Sequence, residues 1–392
     1  MAALAPTTPD ELADAIREAG HNGAKLAITG GGSKRDIGAH TESARALDMR
    51  AFSGVVDYDP SDLVLSVGAG TPLAEVEALL AGENQMLAFE PWDHGPLFGR
   101  PAGQATIGGV VAAGVAGPRR LTMGGARDHL LGFEAVSGRG ERFIGGGKVV
   151  KNVTGYDLPK LMAGSWGRLA ALTRLTLKVL PRPRRSATLA LDGLSDRQAH
   201  AAMAEAMGSH AEVCAAAHLP AALHGGRALT ALRLQGFEPS VAARCALLPD
   251  LLRGHGNVRR LEPDEADAFW DAIRHASPLA GEAPLWRINV PPSGGCPVVA
   301  ALEPLGARWL FDWAGALVWL AFDGDPALVR EAAARAGGHA QLVRASEAMR
   351  AAVPAQHPRA PGVAALEARV RRAFDPLGIF ETGRFADISH AD

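Results

Sequence analysis

Residues 105–120 read ATIGGVVAAGVAGPRR. Ile107, Val110, Val111 and Val115 are the only bulky apolar side chains in it, so the stretch has little volume with which to fill a core. It is expected to lie flat against something else. A tightly packed helix start accounts for Gly108-Gly109-Val110-Val111, because small residues let a helix approach its neighbour closely. That reading does not extend to Gly114, Gly117 and Pro118, which a long wall without side chains explains together.

Upstream, KLAIT reads as a short strand running directly into Gly30-Gly31-Gly32-Ser33-Lys34. Consecutive glycines after a strand can turn several backbone N–H groups toward one point, a nest for phosphate oxygens, and Ser33 adds a hydroxyl donor. Taken alone, the same residues also suit a flexible loop. Together with the wall they predict a site for a cofactor that carries a diphosphate and a flat ring. The second glycine pair, Gly68 and Gly70 in VLSVGAGTPLAEV, has the strand, turn and helix order of a dinucleotide fingerprint. Leu73 stands where its third glycine belongs, and a tight turn with a helix cap explains these residues. GGGSK also lacks P-loop spacing.

The flanking segments give an α/β rhythm. Thr8-Pro9-Asp10-Glu11 ahead of LADAIREAG predicts a capped amphipathic helix closed by Gly20. DLVLSVGAGTPLAEVEALLAG predicts strand, turn and a helix opened by Thr71 and Pro72. GFEAVSGRGERFIGG predicts a hairpin turning at residues 138–140, and LTRLTLKVL a half-buried strand. PRPRR, residues 181–185, marks the end of this domain. Alanine-rich helices then alternate with strands to about residue 345, a second α+β domain, and the tail VAALEARVRRAFDPLGIF predicts a basic amphipathic helix stopped at Asp375-Pro376-Leu377-Gly378. Domain limits of 1–183, 184–345 and 346–392 follow.

A chain of 392 residues exceeds one ordinary core, in keeping with two domains. A net charge of -2 gives no electrostatic reason to expect nucleic acid or an anionic membrane as partner, so a small molecule is favoured. Cys214, Cys245 and Cys296 form neither a disulfide framework nor a CxxC metal site, and no metal is expected. Neither a basic, then apolar leader nor a run of ~18 apolar residues occurs, which predicts a cytoplasmic protein. The pair His218 and His224 is disturbed by Pro220. Arg119-Arg120 and the arginines of residues 182–185 read as solvated turns, and Trp313 and Trp319, six apart, as neighbours on one strand face.

GGGSK, DPSDLVLSVGAGTPLAEVEALL, ATIGGVVAAGVAGPRR, KVVKNVTGYDLPKLMAGSWG and AFDPLGIFETGR, in that order, closely resemble the FAD-binding fold of vanillyl-alcohol oxidase (PCMH) type flavoproteins. GPRR, KNVTGYD, LWRINVPP, FDWAGA and GGHAQLVRA narrow the resemblance to the FAD-binding E subunits of bacterial glycolate oxidase. The fold class implied is α+β: a two-part FAD-binding domain with a second α+β domain inserted before a C-terminal return segment. The resemblance implies non-covalent FAD, since no histidine lies in the GGGSK loop and His40 is beyond it. Gly30, Gly31, Gly32 and Ser33 would hold the diphosphate, flanked by Thr29 and Lys34. Pro91, Thr106, Gly108, Gly109, Ala112, Ala113 and Gly117 would line the ribityl and adenine side. Gly155, Tyr156 and Asp157 would stand near the flavin, and Ala171 and Leu172 along the adenosine.

Two departures and one absence qualify the resemblance. Relatives commonly have Gly-Thr-Leu-Gly where this chain has Gly167-Arg168-Leu169-Ala170, and Asn-Pro where it has Glu381-Thr382. An acid in place of a ring-facing amide removes a donor and adds negative charge. Catalytic relatives that oxidise 2-hydroxy acids also carry a glycine-aspartate-glycine-asparagine stretch flanked by histidines, of which Gly337-Gly338-His339 is the nearest fragment here. Removing a hydroxyl proton as hydride leaves needs such a base. The resemblance therefore implies a subunit that works with a homologous catalytic flavin subunit and an iron–sulfur subunit to oxidise glycolate to glyoxylate. No catalytic residue is assigned to this chain, and any attachment to the inner face of the membrane would come through the complex. A self-sufficient 2-hydroxy-acid dehydrogenase and a flavin-free scaffold are the alternatives.

Overall fold

Thr8 starts the first helix, α1 (Pro9–His21): its hydroxyl accepts the Glu11 N–H at 3.2 Å, and Pro9 occupies the first turn, where a missing N–H costs nothing. Leu12, Ala13, Ile16 and Ala19 recur on one face and are buried against Leu26, Leu47, Val136, Ala171, Ile379 and Phe380. In the computed structural model, which describes residues 3–41, 43–148 and 155–385, this core belongs to the first of two units. That unit takes in residues up to 117, 124–182 and from 358 onward; the second takes in residues 118–123 and 183–357.

In the first unit β1 (Leu26–Thr29) pairs in parallel with β2 (Arg45–Asp48). An antiparallel sheet follows, built from β3 (Val55–Asp59), β4 (Val64–Gly68), β5 (Leu130–Ser137), β6 (Arg142–Gly146) and β7 (Ala170–Lys178) in the order β3-β4-β7-β5-β6. The β5–β6 turn is the expected hairpin, with Gly140 at φ 69°. Two helices of this unit are α2 (Leu73–Gly82) and α3 (Ile107–Ala113), of which α3 lines the site. Thr71 does not cap α2: its hydroxyl donates to the Gly68 carbonyl and accepts the Gly54 N–H, pinning the glycine turn instead.

The return segment is fastened by one carboxylate. Asp375 ends the helix Pro361–Phe374 and accepts the N–H groups of Ile379 and Phe380, each at 2.8 Å, which turns Ile379 and Phe380 into the α1 core. Burial raises the Asp375 carboxyl above its ordinary range, the two N–H donors working against that.

The second unit is one antiparallel sheet of eight strands: β8 (Arg185–Asp192), β9 (Ala215–Leu219), β10 (Leu229–Gly236), β11 (Val258–Arg260), β12 (Leu285–Asn289), β13 (Arg308–Asp312), β14 (Leu317–Ala321) and β15 (His339–Arg344). Their order is β11-β8-β10-β9-β13-β14-β12-β15. Helices Asp196–Met207 and Glu238–Leu251 pack over Leu189, Leu191, Leu232 and Leu234; helices Gly295–Leu302 and Pro326–Arg335 pack over Trp286, Ile288, Phe311 and Leu320. Residues 346–357, expected with the return segment, belong to this unit, because Arg330 of the helix Pro326–Arg335 donates to the carbonyls of Pro354 and Gln356. Trp313 and Trp319 do not share a strand. Trp313 and Ala314, at φ 52° and 54°, form the turn between β13 and β14, and only Trp319 lies in β14. No helix among the described residues is long and apolar enough to cross a membrane.

Candidate functional site

The strand β1 delivers residues 30–34 to one side of a cleft of about 810 Å³, its mouth included, and α3 forms the opposite side. The wall is a helix. Thr106 caps it by accepting the Gly109 N–H at 3.3 Å, Ile107, Val110 and Val111 are buried, and Gly108, Gly109, Ala112 and Ala113 line the cleft. Positions i, i+1, i+4 and i+5 share a helix face, so the small residues all look one way. The helix start and the side-chain-free wall are the same object.

Glycine at 30 and 31 is required by packing between the two sides. A Cβ at Gly30 would strike the Thr106 hydroxyl, and one at Gly31 would sit on the Gln104 carbonyl oxygen. Gly108 likewise faces the Ala69 carbonyl, 2.6 Å from where its Cβ would be. Closed together this way, the loop keeps its amides free: among the described residues, none of the N–H groups of Gly31, Gly32, Ser33 and Lys34 donates to a protein acceptor. Gly32, at φ 76°, makes the reversal that points them inward.

Lys34 supplies the charge. Its side chain is buried and its Nζ has Ser33 Oγ, at 3.4 Å, as its hydrogen-bond partner. Burial pushes the ammonium down to about 8; Asp93 opposes that shift and Arg384 adds to it. A buried cation beside four undirected N–H donors is an environment short of one thing, an anion. A diphosphate fits it, so the residues present suit FAD. When bound, FAD would supply the redox chemistry, and the amide nest, the Lys34 ammonium and the side-chain-free wall would hold it.

Of the residues expected from sequence, Thr29, Gly30, Gly31, Gly32, Ser33, Lys34, Thr106, Gly108, Gly109, Ala112, Ala113 and Leu172 line this one cleft. The others do not. Pro91 is buried elsewhere in the first unit. Gly117 is there because a Cβ would meet the Glu90 carbonyl oxygen at 2.6 Å, and Gly114, at φ 65°, is the C-cap of α3. Ala171 points into the α1 core while its neighbours Ala170 and Leu172 face the cleft, as strand alternation requires. Gly155, Tyr156 and Asp157 are exposed, Tyr156 to 88 %, and Asp157 accepts the Lys160 N–H at the start of a short helix. The KNVT stretch ahead of them, residues 151–154, lies outside the described residues.

Sequence reasoning missed Met49, Ala69, Trp166, Gly167 and Arg384, all of which line the cleft. Trp166 holds a left-handed backbone at φ 57°, and strain of that kind in a large residue marks a constrained site. Arg384 donates to the carbonyls of Ile37 and Lys34, tying the return segment to the nest, and its guanidinium lies 5.7 Å from the Trp166 ring centroid. The two departures answer each other. Arg168 makes a two-pronged contact with Glu381, at 3.0 and 2.6 Å, and Arg371 approaches the same carboxylate at 3.3 Å. The negative charge expected to face the ring is therefore neutralised, and neither Arg168 nor Glu381 lines the cleft.

Comparison with known proteins agrees with this geometry. Residues 1–144 match the family described as FAD binding domain. The chain is 35 % identical over 376 residues to "Glycolate oxidase subunit GlcE" of Escherichia coli (strain K12), a match covering 95 % of this chain and 96 % of that one. Similarity to "Glycolate oxidase subunit GlcD" of Bacillus subtilis (strain 168) is 28 % over 189 residues, 48 % of this chain and 38 % of the relative. Among solved structures, p-cresol methylhydroxylase with substrate bound superposes with a TM-score of 0.72 at 13 % identity, over 97 % of this chain and 88 % of that one. That likeness establishes the PCMH-type fold. With near-complete coverage of both sequences, the chain belongs to the FAD-linked oxidoreductase family of the glycolate oxidase subunit GlcE.

Proposed function

We propose that this chain is the FAD-binding subunit of a complex that oxidises glycolate to glyoxylate, and that it holds FAD non-covalently in the cleft between residues 30–34 and α3. The observation that carries the cofactor assignment is the buried Lys34 ammonium set beside free loop amides and a wall of glycine and alanine. Non-covalent attachment is supported by a lining that, among the described residues, contains no histidine, cysteine or tyrosine. The cofactor contacts are assigned to Thr29–Lys34, Thr106, Gly108, Gly109, Ala112, Ala113 and Leu172, with Trp166, Gly167 and Arg384 added and the exposed Tyr156 withdrawn.

Two relatives are subunits of glycolate oxidase, which supports the substrate and a multi-subunit setting. A homologous catalytic flavin subunit and an iron–sulfur subunit are the partners, with attachment to the inner face of the membrane through them. The substrate-oxidising site is assigned to the catalytic partner, because this sequence lacks the glycine-aspartate-glycine-asparagine stretch flanked by histidines that would supply the base for hydride abstraction from a 2-hydroxy acid.

Purified alone, the chain should show a flavin absorption band that leaves with acid or denaturant, and glycolate added without partners should not bleach it. Co-expression with a second flavoprotein and a cluster-bearing protein should recover glycolate oxidation. Bleaching of the isolated chain by glycolate would instead establish a self-sufficient dehydrogenase, and a colourless chain that takes up no FAD would establish a scaffold.

A further inference from the structure

GPRR, LWRINVPP and FDWAGA are not used by the cofactor cleft: none of them lines it. Their side chains meet inside the second unit. Arg120, carried there by residues 118–123, and Arg287 of β12 both lie over the indole of Trp313, 5.2 and 5.1 Å from the ring centroid. Trp313 and the following Ala314 hold left-handed backbones, a strain that persists only where the surroundings enforce it. Asp312 enforces part of it: its carboxylate, 2 % exposed, accepts the Trp313 N–H at 2.7 Å.

The two guanidiniums are under-compensated. Among the described residues neither forms an ion pair with a carboxylate, and the one side-chain hydrogen bond of Arg287 is to Asn289 Oδ1 at 2.7 Å. Arg287 keeps some accessible surface but stands deep enough that burial pushes it down to about 10. The charge of Arg120 pushes the same way, and Asp312 opposes both. Two like charges brought to one ring, with one of them recessed, call for an anion between them. Arg120 and Arg287 contribute two positive charges and Asp312 one negative, a net of one, so a monoanion balances the cluster and a dianion overshoots it. Guanidinium forks match the two oxygens of a carboxylate, and the buried indole holds both forks in place.

We infer that Arg120, Arg287 and Trp313 form a binding site for a small monocarboxylate, of the size of acetate or glycolate. The site binds such an acid and does not oxidise it, since none of its three residues lines the cofactor cleft. This goes beyond the proposed function, which gives the chain no carboxylate site, and it does not depend on FAD.

Calorimetric titration of the purified chain, with and without FAD, tests it, using glycolate, acetate and inorganic sulfate as probes. The expected result is saturable binding of one glycolate or acetate per chain, with sulfate at least tenfold weaker. Arg287→Met should weaken glycolate at least tenfold, Arg287→Lys several-fold through loss of the fork, and the exposed Arg120→Gln at least threefold. Absence of saturable binding by the wild-type chain would overturn the inference, as would sulfate binding as tightly as glycolate. Arg120→Gln lies on the surface and keeps the test decisive should the Arg287 variants fail to fold; unchanged glycolate binding by folded Arg120→Gln overturns the site. Loss of a co-purifying protein in these variants, with glycolate affinity intact, would show a docking contact and overturn it too.

Discussion

The cofactor cleft of the first unit and the Arg120–Arg287–Trp313 cluster of the second are both built for anions, and they are built in opposite ways. The cleft removes side chains: glycine and alanine line one wall, backbone N–H groups do the pointing, and one buried ammonium supplies the charge. The cluster adds side chains: two guanidiniums and an indole carry the recognition, and the backbone is strained to present them. A side-chain-free wall accommodates a long ligand whose own groups contribute the specificity. A cluster rich in side chains suits a ligand with few atoms, since each of its contacts must come from the protein.

The sharpest way to break the first half of that contrast is to give the nest a side chain. Gly31→Val drives carbon into the Gln104 carbonyl and separates the loop from α3, so FAD affinity should fall by about 100-fold or more while the second unit stays folded. Flavin content of the purified variant, with circular dichroism as the control on folding, reads it. A variant that retains stoichiometric FAD would show that the loop does not touch the cofactor.

Next in size is the ammonium. Lys34→Met should cost about 30-fold in FAD affinity at pH 7, in the range of a charge-assisted hydrogen bond. The pH dependence has a definite sign. The native pKa of about 8 lies below the ordinary 10.5, so between those values the unfolded chain still holds a proton that the native chain has lost. Stability of the flavin-free chain should therefore rise across that window relative to Lys34→Met. FAD favours the protonated form, so its affinity should be full below pH 8 and decline by up to tenfold per pH unit above it. Fluorescence titration at pH 7, 8 and 9 distinguishes this from a pH-independent site, which would remove Lys34 from the contact.

Smaller again is the Arg168–Glu381 clasp. Both groups are partly exposed, 20 % and 32 %, so breaking the pair should cost about 0.5–1 kcal/mol of binding through a loosened return segment, about two- to fivefold in FAD affinity. Glu381→Asn or Arg168→Thr alone should show the loss, and the reciprocal exchange Arg168→Glu with Glu381→Arg should restore part of it. Equal affinities in all four proteins would make the clasp irrelevant to the cleft. The smallest effect expected is at Tyr156: Tyr156→Phe should change FAD affinity less than about twofold, as befits an exposed surface residue. A tenfold loss there would place it back beside the flavin.

These contrasts also explain what could be read from the sequence. The nest and the wall were legible because each is local: Gly30 to Lys34 are consecutive, and Gly108, Gly109, Ala112 and Ala113 repeat at helical spacing. Ala171 was misplaced by one residue, since a strand alternates and the pattern AALT does not say which alanine faces out. Gly114 and Gly117 were absorbed into the wall although one caps a helix and the other clears Glu90, two demands on backbone geometry that leave the same residue type behind. Tyr156 was placed near the flavin by resemblance, which does not carry the exposure of a side chain. The second cluster was illegible because Arg120, Arg287 and Trp313 stand far apart in the chain and only the sheet order β13-β14-β12 and the excursion of residues 118–123 bring them together. The Arg168–Glu381 pair was visible as two separate departures; that each compensates the other needed the return segment in place.

Equilibrium titration of the flavin-free chain with FAD, followed by flavin fluorescence across pH 7 to 9, tests the cleft most directly. One FAD per chain, released by denaturant and bound more weakly as pH rises above 8, is the expected result. A chain that takes up no FAD, or whose FAD affinity is untouched by both pH and Gly31→Val, would contradict it.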